Sequence, residues 1–380
     1  MGQGAGWLFA VKIILYLLGF SAIVLTVLPF LRLSAWWIRI GEFPRLQIAA
    51  AAVLVNLVFN LVGYPLAPVE VIFLTVLSAC SVYQLFCIVP YTPLYRKQVQ
   101  KSRVPLPKKV IRILFSNVFI ENRQYEKVVR MVEKMNADIV LLAETDAAWV
   151  KAVEPLRKLY PTMIAHPLDN GYGMVLFSRL KLINPELKFI IEDLVPSIHT
   201  EVELRSGDIV RLYCMHPRPP IPMETGRSTE RDAELLLVGR EVAEHDRQDK
   251  PTIVFGDLND VAWSRTTRLF QKISRLLDPR VGRGMYSTFP VKYPLLHFPL
   301  DHIFHTDHFR LVELRRLKSV GSDHFPVYVT LSLETTAKFV QEPPLADEED
   351  HAEAQETIQE ALELLEQERK TDNGELRTDS

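Results

Sequence analysis

The run Gly-Ser-Asp-His-Phe-Pro-Val at residues 321–327 carries the most information about the architecture of this chain. An apolar strand is predicted over residues 326–331, so the acid–histidine pair lies at one end of that strand. A second polar run, Gly-Asp-Leu-Asn-Asp at residues 256–260, directly follows an apolar stretch over residues 252–255. In α/β folds the carboxyl ends of strands form a rim that the core does not occupy, and functional groups gather there. Both runs therefore predict groups that belong to a functional site.

Polar residues also lie at the ends of other predicted strands, three of them nearer the amino terminus and one next to residue 301. Apolar strands are predicted over residues 110–118, 139–143 and 209–215. Apolar residues at helical spacing over residues 125–135 separate the first two strands. The polar residues at these strand ends are Asn117, Glu144, His216 and Asp301. Any one of them is as consistent with a cap or a turn, so it is the ordered set that predicts a site.

In order, residue type and local context, these groups resemble the endonuclease/exonuclease/phosphatase superfamily with its DNase I-like fold. The resemblance covers residues 108–334. It implies an α/β (α+β) four-layer sandwich, in which two packed, mostly antiparallel sheets are flanked by helices. It also implies a metal-dependent phosphoesterase, with Mg²⁺ or Mn²⁺ as the cofactor.

The predicted metal ligands are one amide and two acidic residues. The resemblance implies that Glu144 is the principal ligand, that Asn117 lies beside it, and that Asp323 completes or supports the site. Phosphodiesters resist attack because their negative charge repels nucleophiles, so a catalyst needs a hard cation and a positioned base. Carboxylate oxygens suit Mg²⁺ or Mn²⁺, which agrees with these residue types.

Asp257 and Asn259 stand two residues apart after a strand. In an extended conformation their side chains project to the same side, toward one substrate. The resemblance implies that this pair orients or deprotonates the attacking water and that Asn259 also holds the scissile phosphate. Metal binding by either residue, or a turn-forming role for the pair, are the alternatives.

The resemblance also implies a dyad in which Asp301 fixes the imidazole of His324 and favours its protonated form. His216 is expected to stabilise charge on the phosphoryl oxygens. Tyr172 falls near a family tyrosine that contacts phosphate, although the local spacing is shorter here. Arg218 is a candidate substrate-binding cation.

The amino-terminal part is predicted to be a membrane anchor. Residues 13–31, 46–69 and 71–95 carry no charge, and each stretch is long enough to cross about 30 Å of hydrocarbon as a helix. A cleavable signal peptide explains at most the first stretch. Three spans place the turn at residues 63–70 on one side of the membrane and the catalytic part on the other.

Basic residues indicate which side that is. Residues 32–45 and 96–109 are rich in Lys and Arg and lie on the side of the catalytic part. The positive-inside rule then predicts a cytoplasmic domain, although long domains also translocate despite charge and the extracytoplasmic alternative stays open. The architecture is typical of an integral protein of a bacterial inner membrane.

The chain is thus divided into four parts. Residues 1–95 form the three-span anchor, 96–107 a basic linker, 108–336 the catalytic domain, and 337–380 an acidic tail that is partly helical or disordered.

Charge and anchoring bear on the substrate. Residues 105–335 contain 32 Lys and Arg against 30 Asp and Glu, so the strong basic field expected of a polyanion-binding protein is absent. A tethered site meets lipid headgroups at high effective concentration. We therefore expect the bilayer as a partner and a lipid or lipid-linked phosphoester as substrate. A nuclease acting on DNA or RNA and a non-catalytic membrane-binding module of the same fold remain alternatives, and the oligomeric state is open.

Overall fold

Long apolar helices begin the chain in the computed structural model, which describes residues 2–62, 65–220 and 226–378. The elements here are α1 (Gly2–Val27), the short α2 (Trp36–Arg39), α3 (Arg45–Val62) and α4 (Pro68–Ile88). Within the described residues, three helices are long and apolar enough to cross a membrane. They coincide with the three predicted spans, except that the second helix ends at Val62. Residues 63 and 64 of the predicted turn lie outside the described residues.

The remainder of the chain alternates strands and helices. In chain order the elements are β1 (Val110–Asn117), α5 (Tyr125–Met135), β2 (Ile139–Ala143), α6 (Ala147–Val153), β3 (Thr162–His166), β4 (Met174–Ser178), β5 (Lys181–Lys188), β6 (Ser197–Glu203), β7 (Ile209–Met215), α7 (Thr229–Arg247), β8 (Thr252–Asp257), α8 (Arg265–Ser274), β9 (Asp301–His305), β10 (Phe309–Arg316), β11 (Val327–Leu333) and α9 (Glu348–Thr378).

The strands form two sheets, with the orders β10-β11-β1-β2-β4-β3 and β5-β6-β7-β8-β9. In the described part of the chain the β1–β2 and β7–β8 pairings are parallel, and the other pairings are antiparallel. The sheets pack face to face through residues such as Phe115 and Leu141 from the first and Leu212 and Phe255 from the second. The predicted pair of mostly antiparallel sheets is therefore confirmed.

Helices cover the outer face of each sheet. Val128 and Val132 of α5 and Trp149 of α6 pack on the first sheet, while Val238 of α7 and Phe270 of α8 pack on the second. The central strands β1, β2 and β8 are almost wholly buried because both faces are covered. The four-layer sandwich is confirmed.

The segments predicted as linker and tail pack against this sandwich. Val99 is buried in the core between the sheets, and the backbone N–H of Ser102 donates to the carbonyl of Leu311 at 2.8 Å. Helix α9 buries Ala354 and Ile358 against α7 and α8. The tail is helical over 348–378, and the apolar stripe at its start covers the surface of α7 and α8.

The segment between the first two long helices, residues 32–44, is called the interspan segment below. Its backbone joins the sandwich where the N–H of Trp36 donates to the carbonyl of Gly226 at 3.0 Å. The indole N–H of Trp263 donates to the carbonyl of Glu42 at 2.7 Å. The amino-terminal helical part and the sandwich are therefore in direct contact at this segment.

Candidate active site

Strand pairing brings the predicted site residues together. Asn117 pairs with Ala143 across the parallel β1–β2 ladder, so Glu144 comes next to Asn117. In the other sheet Asp257 pairs with Asp301 across β8 and β9. Gly256 lets β8 lie against β7 at this point, because a Cβ there would lie 1.8 Å from the carbonyl oxygen of Met215. The two sheets thus present polar ends at one edge of the sandwich.

Asn117 connects the two groups of carboxyls. Its Nδ2 donates to Glu144 Oε1 at 2.7 Å and to Asp257 Oδ2 at 3.1 Å. Its Oδ1 accepts from the backbone N–H of Phe119 at 3.0 Å. In this arrangement Asn117 presents its amino group, rather than its carbonyl oxygen, to the carboxyls. Its predicted role as a metal ligand stays a prediction.

His324 and Asp301 form the predicted contact. His324 Nδ1 lies 3.0 Å from Asp301 Oδ2, and its Nε2 lies 3.5 Å from Asp257 Oδ2. Burial alone would lower the pKa of His324, but the carboxylates of Asp301 and Asp257 outweigh it and raise the pKa to about 10. The imidazole is therefore protonated at neutral pH. Ser322 fixes its backbone, because its Oγ accepts from the His324 N–H at 3.0 Å.

Asn259 does not follow Asp257 in the extended conformation that the sequence suggested. Its φ of 53° is left-handed, and its N–H donates to Asp257 Oδ1 at 3.0 Å. Its Nδ2 donates to the carbonyl of Pro217 at 2.8 Å. The expectation of an extended pair is thus wrong, because Asp257 accepts the backbone N–H two residues on and closes a turn that Asn tolerates.

His216 lies on the other side of Asp257, with its Nε2 4.0 Å from Asp257 Oδ2. Burial lowers the pKa of His216, so its imidazole is neutral. The ring of Tyr172 lies 5.6 Å from the His216 ring. The Arg218 guanidinium lies 5.7 Å from the Tyr172 ring centroid and 2.7 Å from Glu192 Oε2. The structure thus brings Tyr172 and Arg218 to the His216 side of the site.

The acidic groups fit a divalent cation. Burial raises the pKa of Glu144 to about 7 and raises the pKa of Asp257 and of Asp323, although His324 opposes each shift. Carboxyls that are buried, like Asp257, or partly buried, like Glu144 and Asp323, ionise readily only beside positive charge, and Mg²⁺ or Mn²⁺ takes oxygen ligands. Glu144 and Asp323 both line the cavity described next. They are the groups that would hold the metal.

A cavity of ≈ 520 Å³ opens at these residues. Its polar lining includes Glu144, Asn259, Asp323 and His324. The apolar lining comes from two parts of the chain: Trp36, Ile40 and Phe43 of the interspan segment, and Phe289 and Leu300 of the sandwich.

Sequence reasoning missed this apolar lining and also Arg231, whose Nη1 donates to the carbonyl of Asn259 at 2.6 Å. Arg231 lies on α7, where a charged residue suggests a solvated helix face. The pair Trp36 and Trp37 beside a predicted span suggests an aromatic belt at the membrane interface. No local sequence pattern distinguishes an aromatic residue of a cavity wall from one at a membrane interface.

The family comparison covers most of this sandwich. A sequence model described as the Endonuclease/Exonuclease/phosphatase family matches residues 115–324. Comparison with curated proteins gives no match.

Solved structures that resemble the chain have low sequence identity to it. The human Nocturnin catalytic domain with bound sulfate anion is 19% identical, with a TM-score of 0.48, and the match covers 60% of this chain and 96% of that one. TDP2 from D. rerio, complexed with a single strand DNA product, is 18% identical, with a TM-score of 0.46 and coverages of 59% and 99%. An endonuclease/exonuclease/phosphatase from Bacteroides vulgatus is 18% identical, with a TM-score of 0.48 and coverages of 60% and 100%.

Proposed function

We propose that this chain, which belongs to the endonuclease/exonuclease/phosphatase family, hydrolyses a phosphoester bond with the help of Mg²⁺ or Mn²⁺. The observation that carries the proposal is the environment of Asp257. Its Oδ2 lies 3.1 Å from Asn117 Nδ2, 3.5 Å from His324 Nε2 and 4.0 Å from His216 Nε2. A buried carboxyl surrounded by donors, beside a second acidic group, is arranged for proton transfer and charge stabilisation.

In the proposed reaction Asp257 accepts a proton from water as the water oxygen bonds to phosphorus. The bond between phosphorus and the leaving oxygen breaks, and its electron pair stays on the leaving oxygen. The imidazolium of His324, held by Asp301 at 3.0 Å, offsets the negative charge that develops. Neutral His216 donates a hydrogen bond to a phosphoryl oxygen. When bound at Glu144 and Asp323, a divalent cation supplies further positive charge to the phosphoryl group.

We further propose that the substrate is a lipid or lipid-linked phosphoester and that the protein is anchored in a bacterial inner membrane with its catalytic domain in the cytoplasm. The apolar helices and the near balance of acidic and basic residues in the sandwich support the substrate class. The basic residues flanking the helices support the orientation. A reporter fused after Ser380 tests the orientation.

The reaction is tested with the purified full chain, bis(p-nitrophenyl) phosphate and Mg²⁺ or Mn²⁺. We expect turnover by the wild type, its loss with EDTA, and a decrease of at least about a hundredfold in Asp257→Asn and His324→Gln. Asp208→Asn is the matched acidic control, since Asp208 precedes β7 at the end opposite His216, and it should keep wild-type turnover. Full activity of either site variant contradicts the mechanism.

The substrate class is tested in parallel with labelled lipid extract and with DNA. Release of a phosphate-containing headgroup, or of phosphate, from the lipid supports the proposal. Cleavage of DNA without release from the lipid contradicts the proposed substrate class and favours a nuclease. Absence of metal-dependent turnover on every probe favours the non-catalytic alternative.

A further inference from the structure

We propose that the interspan segment is a substrate-binding wall: Trp36, Ile40 and Phe43 bind the hydrocarbon chain of the phosphoester while its phosphoryl group lies at Asp257 and His324. The proposal rests on the function proposed above and makes this segment the determinant of specificity for long-chain substrates.

The first support is the continuity of the cavity. One space of ≈ 520 Å³ is lined both by His324 and Asp323 and by Trp36, Ile40 and Phe43. This is within the range of ligand sites, which are largely apolar with a few convergent polar groups. Phe289 brings apolar surface next to a reacting group, since its ring lies 4.8 Å from the His324 ring. A ligand with a phosphoryl head and an apolar tail fits this distribution.

The second support is that the sandwich holds the segment in place. Arg39 Nη1 lies 2.6 Å from Asp232 Oδ2, and its Nη2 donates to Thr266 Oγ1 at 2.9 Å. The backbone adds the hydrogen bond from Trp36 to Gly226 at 3.0 Å. The wall is therefore as fixed as the helices α7 and α8 on which it lies, as a specificity surface requires.

The third support is the position of the wall beside the apolar helices. Phe43 lies two residues before Arg45, the first residue of α3, so it is within about 7 Å of that helix along the chain. Trp36 follows the end of the first apolar span at Leu31 by five residues. A lipid chain reaching this wall stays close to the hydrocarbon from which it came.

Charge disfavours a polyanion at the same wall. Among the cavity-lining residues that the structure describes, the arginines are Arg39 and Arg231. Both are engaged by Asp232, at 2.6 Å and 2.7 Å. A nucleic-acid backbone needs cations that are available to its phosphates, whereas a hydrocarbon chain needs the apolar surface that is present.

The test uses alkyl p-nitrophenyl phosphates with methyl, octyl and hexadecyl chains, presented to the full chain in detergent micelles with Mg²⁺. For the wild type we expect kcat/KM to rise with chain length. In Trp36→Ala and Phe43→Ala the ratio of the hexadecyl to the methyl value should fall about tenfold or more, because apolar contact with the chain is lost. Trp37→Ala is the matched control: Trp37 is adjacent, 51% exposed and outside the cavity lining. It should keep the wild-type ratio.

The outcomes separate the two proposals. Absence of wild-type turnover on every chain length overturns the proposed function. Wild-type turnover without a chain-length preference overturns this inference alone, as does a preference that Trp36→Ala and Phe43→Ala leave intact. An equal loss of preference in Trp37→Ala shows that association with the micelle, not the wall, sets the preference, and it also overturns the inference. Ile40→Asn, at a residue that is 43% exposed, supplies a variant with little risk to folding and should lower the ratio in the same way.

Discussion

Replacing Arg39 with Met should release the interspan segment from the sandwich. The Arg39 side chain is only 12% exposed and makes ion pairs with Asp232 at 2.6 Å and with Glu42 at 3.0 Å. Burial alone would lower the pKa of Arg39, but these carboxylates raise it above its usual range, so the side chain is a cation at any working pH. Its removal leaves buried negative charge without this partner.

The size of the expected destabilisation depends on the hydrogen bonds and ion pairs that Asp232 and Glu42 retain without Arg39. Breaking a buried pair from one side costs roughly 3–5 kcal/mol. Asp232 retains Arg231 at 2.7 Å and Ser228 Oγ at 2.9 Å, and Glu42 Oε1 still accepts from the Arg265 N–H at 3.1 Å. We therefore expect the lower end, about 3 kcal/mol, which corresponds to roughly a hundredfold change in the local opening equilibrium.

Amide hydrogen exchange of the peptide containing Trp36 measures this opening directly, because its N–H is bonded to Gly226. Exchange should be roughly a hundredfold faster in Arg39→Met. Arg32→Met is the matched control, since Arg32 belongs to the same segment but is 62% exposed and lies 3.5 Å from Glu349. That pair should contribute less than about 1 kcal/mol. Exchange in Arg39→Met within about twofold of both wild type and Arg32→Met refutes the reasoning.

Three further predictions concern the site, the tail and pH. Asp301→Asn should lower kcat on bis(p-nitrophenyl) phosphate by about a hundredfold, because His324 loses the carboxylate that keeps it protonated; kcat close to the wild-type value contradicts the dyad. Ile358→Ala should lower the unfolding free energy by about 2 kcal/mol while Leu362→Ala, at a 47% exposed position of the same helix, changes it little; equal denaturant midpoints show that α9 is not docked. Burial, and then Glu192, raise the pKa of Glu234 to about 8, so its stability contribution is present below about pH 4.5 and lost as pH rises through about 8. Glu234→Gln should therefore have the same unfolding free energy as the wild type at about pH 4 and a higher one, by at least about 1 kcal/mol, at about pH 9. Thermal melts at both pH values measure this, and a difference between variant and wild type that stays constant with pH excludes the titration of Glu234.

The features that could be predicted from the sequence depend on residues that are close together in the chain. Glu144, His216 and Asp257 each end or directly follow an apolar strand, so they could be identified from their neighbours in the chain. The apolar helices were identifiable for the same reason, because length and absence of charge are properties of a continuous stretch. Edge strands were harder to predict: β5 contains Asn184 and Pro185 at a register shift, so its alternation is broken.

Only the tertiary structure decided what surrounds the site. The contact between Arg39 and Asp232 joins residues 193 apart in sequence, and no periodicity reports such a pairing. The direction of the Asn259 side chain depends on the carbonyl of Pro217, to which its Nδ2 donates, and the apolar lining of the cavity depends on Phe43 from the interspan segment and Phe289 from the sandwich facing one space. The sequence by itself therefore determined which groups are candidates for the chemistry, since these lie at strand ends. The apolar surface beside them is created where distant segments pack, so it follows from the fold alone.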